Sequence, residues 1–306
     1  MRQKLQNKVV LITGAARGIG AETARRLVAQ GARVSLVGLE PERLAALAGE
    51  LGRRAVWFEA DVTDQAAVDG AVAGTVAALG GIDVVIANAG VANNGTVAVN
   101  PPDALARTIE VNLTGVVRTV SCALPHLVQR RGYVLVIASA ASFTVLPGMA
   151  AYAASKAGVE QFANALSLEV AHKGVKVGCA HPSWIDTDLV RDQRLELKTF
   201  ADAVEKLPWP LNSTTSVEEC ADALVDGIAR RRRRIYIPRT LVIVQALRSL
   251  FTGPLAELLI RREARTLVPQ LEAEITRLGR WFGASSVAMP SGRRAAEDPA
   301  VPKLPT

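Results

Sequence analysis

Through the first 240 residues, short apolar runs alternate with helical patterns, and this alternation constrains the fold more than any other feature. Val9–Thr13, Val34–Val37, Ala55–Ala60, Asp83–Ala87, Tyr133–Ala138 and Val175–Ala180 read as strands, with Ile235–Ile237 a short last one. Helical patterns fill Ala21–Gln30, Pro41–Leu51, Asp64–Leu79, Pro102–Arg131, Ala150–His172 and Val217–Arg230. Strands that are apolar throughout are covered on both faces, as in parallel sheets. The expected fold is α/β, a doubly wound parallel sheet of about seven strands with helices on both faces. Such sheets bind ligands beyond the carboxyl ends of their strands.

At that edge, between the first strand and the first helix, lies Thr13-Gly14-Ala15-Ala16-Arg17-Gly18-Ile19-Gly20. Glycines permit a tight turn and close backbone approach, and a helix N-terminus offers unpaired N–H groups to a pyrophosphate. The spacing is T-G-x-x-x-G-x-G, not the G-x-G-x-x-G of the general dinucleotide fingerprint.

Further along, Tyr152 and Lys156 stand four residues apart on a helix and share one face. Ser139 ends the fifth strand, thirteen residues before Tyr152. Carbonyl reduction needs a proton donor, and an ammonium beside a phenol is expected to bring its pKa down from about 10. A serine hydroxyl is suited to donate a hydrogen bond to the developing oxyanion. Alone, each of these residues has an ordinary packing or capping explanation. Their order behind the glycine turn favours chemistry.

Taken together these motifs resemble the short-chain dehydrogenase/reductase family, in its shorter-subunit branch, from about Val9 to Ile237. The resemblance implies a Rossmann-type fold and hydride transfer between NAD(P) and a carbonyl or secondary alcohol. It assigns catalysis to Asn112, Ser139, Tyr152 and Lys156, with Asn112 holding a proton-relaying water and Lys156 also binding the nicotinamide ribose. It places Gly14, Ala16, Arg17, Gly18, Ile19 and Gly20 on the cofactor phosphates. Asp61 and Val62 fall at the adenine, and Asn88, Ala89 and Gly90 line the cofactor. Pro182, Ile185 and Thr187 fall at the carboxamide. Ser183 stands where the family has glycine, which puts the local backbone shape in question. The implied subunit contacts, Pro102–Arg131 and Ala150–His172, suggest a homodimer or homotetramer. A non-catalytic nucleotide sensor or scaffold on the same fold is the rival reading.

The family's acidic position after the second strand falls on Gly38, followed by Leu39 and Glu40. With no acid at Gly38 and Arg17 available to a 2′-phosphate, NADP is favoured over NAD, although Glu40 is able to swing in. The expected pocket walls are apolar, including Phe143, Val145, Leu146, Met149, Trp184, Leu189, Phe200 and Trp209, with only Arg191 and Arg194 as cations in a lid near 188–212. A hydrophobic carbonyl or alcohol follows, steroid-, retinoid-, lipid- or aromatic-like.

The catalytic unit is expected to span 1–238. Beyond it lie a helical extension over 239–282, interrupted at Pro269, and a disordered tail over 283–306. The extension is read as packing on the protein, meeting a neighbouring subunit or lying on a membrane surface. Of the 36 Lys and Arg, 15 fall in 230–306 against 6 acids. The run Arg230–Arg234 reads as a solvated helix end. No aromatic platform adjoins it, so nucleic acid is not expected. Cys122, Cys179 and Cys220 show neither disulfide nor metal spacing. No leader and no membrane span are read, which suggests a cytoplasmic protein with no metal.

Overall fold

A computed structural model describes residues 5–251 and 253–287. Seven parallel strands form one sheet: β1 (Val9–Thr13), β2 (Arg33–Gly38), β3 (Ala55–Glu59), β4 (Val84–Ala87), β5 (Tyr133–Ile137), β6 (Lys176–Pro182) and the last, numbered β9 below. A two-residue pair, β7 (Trp184–Ile185) and β8 (Thr214–Thr215), precedes β9 (Arg234–Ile237). The order across the sheet is β3-β2-β1-β4-β5-β6-β9, as the expected Rossmann-type architecture requires.

Helices cover both faces. α1 (Gly18–Ala29), α2 (Pro41–Leu51) and α9 (Val217–Ala229) bury Leu27, Leu44 and Leu224 against Val10, Leu36 and Ile235. On the other face α3 (Gln65–Leu79), α5 (Gly115–Arg130) and α6 (Ala150–Glu169) bury Val72, Leu127 and Val159 against Val85, Val134 and Val177. Asp64 caps α3 by accepting from the N–H groups of Ala66 and Ala67. α4 (Pro102–Ile109) leads into α5 through a π-helical turn, Glu110–Thr114, inside what reads from sequence as one uninterrupted helix.

The stretch expected to form a lid contains α7 (Asp188–Glu196) and α8 (Lys198–Glu205). Beyond the sheet come α10 (Leu241–Ala246), α11 (Arg248–Phe251), α12 (Pro254–Leu278) and α13 (Ala284–Val287). Pro269 does not interrupt α12, contrary to the sequence reading: neighbouring packing holds the helix through it. Residues 284–287 of the stretch read as tail form a helical turn, and the remainder of that stretch lies outside the described residues. Among the described residues no helix is long and apolar enough to cross a membrane.

The arginine run finds its partners within the chain, with Arg230 and Arg231 exposed. Arg230 and Arg232 pair with Asp226, Arg231 donates to the Arg131 carbonyl, Arg233 to Asn164, and Arg234 to Glu160.

Candidate active site

The strand order reverses between β1 and β4, so their carboxyl ends border a crevice. The glycine turn lines one side of it. Gly14 has φ +65°, and a Cβ there would meet Ala89 Cα at 2.8 Å. A Cβ on Gly20 would collide with the Gly14 carbonyl oxygen. Gly18 opens α1, and a Cβ there would come within 3.3 Å of Thr187 Cγ2, so the turn and the segment after β6 close on one another. Ala16 and Ile19 are half-buried on this turn. Arg17, at the N-cap, makes no capping hydrogen bond, and no acid occupies the first turn. The first N–H groups of α1 therefore suit an anion. A cradle that admits no Cβ, facing a helix N-terminus, fits a dinucleotide phosphate.

Asn88 fixes the width of the crevice. Its Nδ2 donates to the carbonyls of Thr13 and Gly14, each at 3.0 Å. In return Thr13 Oγ1 accepts from the N–H groups of Asn88 and Ala89, at 3.1 and 3.2 Å. Asp61 accepts from the N–H and hydroxyl of Thr63 at 2.9 and 2.8 Å, and the buried Val62 lies against Gly115, where a Cβ would not fit. At the end of β2, Gly38 is buried beside the half-buried Leu39. Glu40 next to them receives Arg17 Nε at 3.2 Å and Arg43 Nε at 3.3 Å. The acid has thus swung onto the arginine expected to meet a 2′-phosphate.

Ser139, Tyr152 and Lys156 converge where β5 ends and α6 begins. Ser139 and Tyr152 line the same cleft. Lys156 Nζ donates to the Ile137 carbonyl at 2.9 Å and lies 5.6 Å from the Tyr152 ring centroid. Gly90 lets backbone approach this group, since a Cβ there would stand 3.5 Å from Lys156 Nζ and 3.2 Å from Asn112 Oδ1. Asn112, fully buried in the π turn, accepts from the Val91 N–H and donates to the Val91 carbonyl, both at 2.8 Å. It also donates to Ser155 Oγ at 3.1 Å. Its side chain clamps the exit of β4 onto α6. A π turn also leaves the regular i−4 ladder, as often happens at functional sites.

Burial pushes the Tyr152 phenol above its ordinary value, and the Ser139 hydroxyl only partly offsets this. The phenol is therefore not brought down as the Tyr–Lys spacing suggests: the nearby ammonium, bonded to Ile137, does not outweigh desolvation. Burial also brings Lys156 down to about 8, against a smaller opposing effect of Cys179.

One turn beyond Lys156, Glu160 anchors a buried cluster that the sequence reading missed. Its carboxylate accepts from Ser142 Oγ and from Arg234, both at 2.8 Å, and lies 3.3 Å from His181 Nε2. Burial alone would raise its pKa, but His181, Ser142 and Arg234 together hold it at about 2. The spacing 152, 156, 160 was the available signal, because it puts all three on one helical face. His181 is a buried member of this cluster and does not line the cleft. The Pro182 carbonyl accepts from Ser139 Oγ at 3.4 Å, Ile185 is buried in β7, and Thr187, at the N-cap position of α7, donates its hydroxyl to the Ile185 carbonyl at 3.3 Å. Ser183 is not among the residues with positive φ, so the backbone here does not require the family's glycine.

The cleft holds about 720 Å³ of non-protein space, open mouth included. Val145, Leu146, Met149, Trp184 and Leu189 line it, with Gln193 as a polar contribution from the lid. Phe143 and Phe200 are buried behind the wall, and Trp209 is exposed outside it. Arg191 pairs with Asp186, while Arg194 lies over the Trp184 ring; neither lines the cleft.

The C-terminal extension crosses this lid as a strap. Leu271 and Ile275 pack with Met149, Leu197, Phe200 and Val204. Glu272 accepts from Thr96 at 2.6 Å, and Glu274 from Thr199 Oγ1 at 2.8 Å. Trp281 accepts from the Asn94 N–H at 2.6 Å, and Phe282 bridges to Asn93. Periodicity showed a helix here but could not show its partner.

The sheet, the phosphate cradle and the Ser–Tyr–Lys cleft define an oxidoreductase with a nicotinamide dinucleotide cofactor. The sequence pattern of the short chain dehydrogenase family matches residues 8–198, and the chain belongs to that family. It is 36% identical over 210 residues to the glycine betaine reductase of Emericella nidulans, a match spanning 67% of this chain but 16% of that protein. It is 35% identical over 231 residues to the 2,3-dihydro-2,3-dihydroxybenzoate dehydrogenase of Bacillus subtilis, covering 72% of this chain and 88% of that one. The solved 3-ketoacyl-(acyl-carrier-protein) reductase from Brucella melitensis, complexed with NADH, superposes with a TM-score of 0.69 at 26% identity, covering 76% and 97% of the two chains. The chain is an NAD(P)-dependent dehydrogenase or reductase, and the reading as a non-catalytic scaffold is not retained.

Proposed function

We propose that this enzyme interconverts a hydrophobic carbonyl compound and its secondary alcohol, steroid-, retinoid-, lipid- or aromatic-like, with NADP(H) preferred over NAD(H). The observation that carries this reading is a Tyr152 phenol that shares an apolar cleft with Ser139 and has Lys156 beside it. When bound, the nicotinamide supplies or accepts the hydride at the substrate carbon. Tyr152 donates its phenolic proton to the carbonyl oxygen in reduction and takes it back in oxidation. Ser139 donates a hydrogen bond to that same oxygen as charge develops. Gly14, Ala16, Arg17, Gly18, Ile19 and Gly20 would hold the phosphates, and Asp61 and Val62 the adenine. Gly38 and Leu39 would flank the adenosine ribose, with Asn88, Ala89 and Gly90 along the cofactor. Tyr152 and Lys156 would hold the nicotinamide ribose, and Pro182, Ile185 and Thr187 the carboxamide. Because the Asn112 side chain is spoken for, the proposed proton-relaying water would bond to backbone in the π turn.

A panel of carbonyl compounds, followed by consumption of reduced nicotinamide, tests the substrate class. Apolar ketones and aldehydes are expected to exceed phosphorylated sugars by at least about tenfold in kcat/KM, since the cleft has no paired cation for a phosphate. Equal use of both classes would rule the substrate class out.

The protonation of Lys156 sets a pH limb. A lysine held near 8 is charged below that pH and neutral above it, so carbonyl reduction is expected to decline as pH rises through about 8. A profile that stays level until near the ordinary lysine value of about 10 would remove Lys156 from this role.

The preference for NADP rests on two guanidiniums, Arg17 and Arg43, beside Glu40, with Arg17 also 3.7 Å from Asp188. Glu40→Gln is expected to raise the NADP-to-NAD ratio of kcat/KM by about tenfold, because a 2′-phosphate no longer meets a like charge. An unchanged ratio would place the 2′ position elsewhere.

Exposed thiols are not a feature of this chain: Cys179 and Cys220 are buried and Cys122 half-buried, all unpaired, which supports a reducing cytoplasm. A homodimer or homotetramer through α4, α5 and α6 is proposed as well, supported by the exposed Leu168 on α6.

A further inference from the structure

We propose that the outer face of α10 and the exposed Leu258, Ile260, Arg262 and Arg265 of α12 dock on an anionic lipid surface beside the mouth of the substrate cleft. The inner residues of α10, Leu241 and Val244, are buried with Ala140 and Phe143 and against Leu211. Its outer residues are also apolar: Val242 is 51% exposed, Ile243 50% and Leu247 43%. Exposed Arg239 lies in the turn before α10, three residues ahead of Val242. In α12, Leu258 is 65% exposed and Ile260 36%, and Arg262 and Arg265 are exposed a turn further on.

This face adjoins the cleft, because Ala140 and Leu211 belong both to the packing under α10 and to the cleft wall. The rim continues the apolar character. Val145, a cleft residue, is 62% exposed, and Trp209, between the cleft residues Leu207 and Leu211, is 66% exposed.

Charge selects the occupant. Residues 239–266 hold five arginines against two glutamates, and Arg239, Arg262 and Arg265 are exposed. Apolar side chains ringed by arginine match the boundary between acyl chains and anionic headgroups. A second copy of this chain would bring like charges together across the same face, which disfavours self-pairing. The placement does not depend on the substrate proposed above. It gives an apolar substrate dissolved in a bilayer a short path into the cleft.

The test is sedimentation of the full chain with vesicles of phosphatidylcholine alone and of phosphatidylcholine mixed with phosphatidylglycerol. Binding is expected to the mixed vesicles only and to weaken with added salt. Arg262→Gln with Arg265→Gln should weaken it by about 25-fold, at about fivefold for each charge near the surface. Val242→Ser with Ile243→Ser and Leu247→Ser should weaken it by at least about tenfold. Both variants should reduce a water-soluble carbonyl at the wild-type rate without vesicles, since these residues line neither crevice nor cleft. Failure to bind mixed vesicles at low salt, or equal binding by wild type and variants, overturns the proposal. If light scattering shows instead that the serine variant loses a subunit partner and vesicles never sediment the wild type, the face is a subunit contact and the lipid assignment falls.

Discussion

Tyr152→Phe is expected to reduce kcat for carbonyl reduction by about 10³-fold while leaving cofactor affinity within about threefold. The substitution removes one oxygen and keeps the ring, so the packing of Tyr152 against the lid cluster survives. Lys156 keeps its bond to the Ile137 carbonyl, and the phosphate cradle is untouched. What disappears is the donor. Burial holds the wild-type phenol above its ordinary pKa, so it is protonated near neutrality and ready to give its proton in the reductive direction. Steady-state kinetics with fluorescence titration of the reduced cofactor separates the two quantities. A kcat within tenfold of wild type would mean that the proton comes from elsewhere.

Leu271→Ala combined with Ile275→Ala is expected to raise KM for apolar substrates by about 10- to 100-fold with little change in cofactor affinity. Each substitution removes a buried branched side chain, at about 2–5 kcal/mol. Both side chains press on a cluster containing Met149, Leu197 and Phe200, and neither belongs to the two cores that flank the sheet. The loss therefore falls on the strap and lid rather than on the nucleotide-binding body. The polar ties from Glu272 to Thr96 and from Glu274 to Thr199 are partly exposed and contribute less than the apolar contact. Substrate KM, paired with amide exchange across residues 188–205, reads the effect. Unchanged KM with faster exchange would show that the lid does not shape the substrate site.

The sheet was legible because its strands are apolar runs bounded by glycine and polar turns, and their order follows from the βαβ rule. Edges were less legible. α1 starts at Gly18 and not at Ala21, since glycines with poor helix propensity still form the first turn when the crevice requires them. The π turn around Asn112 has no compositional mark, because its cause is the side chain's clamp on Val91, 21 residues away. Glu40 was visible as a residue, but its pairing with Arg17 depends on how α2 leaves the sheet. Tyr152, Lys156 and Ser139 could be read from spacing, whereas the Glu160 cluster needed β6, β9 and α6 assembled. That the extension packs on the protein was one of the readings, but its contact points were not legible, because nothing in its periodicity specifies residues 93–100 and 196–204.

The most direct measurement of the central claim is a crystal structure of the chain with its nicotinamide cofactor. The expected result is a pyrophosphate at the N-terminus of α1, the ribose within about 3 Å of both Tyr152 Oη and Lys156 Nζ, and the nicotinamide ring facing the apolar cleft. A cofactor seated away from the glycine turn, or a ring that leaves Tyr152 and Ser139 without access to the hydride-transfer position, would contradict it.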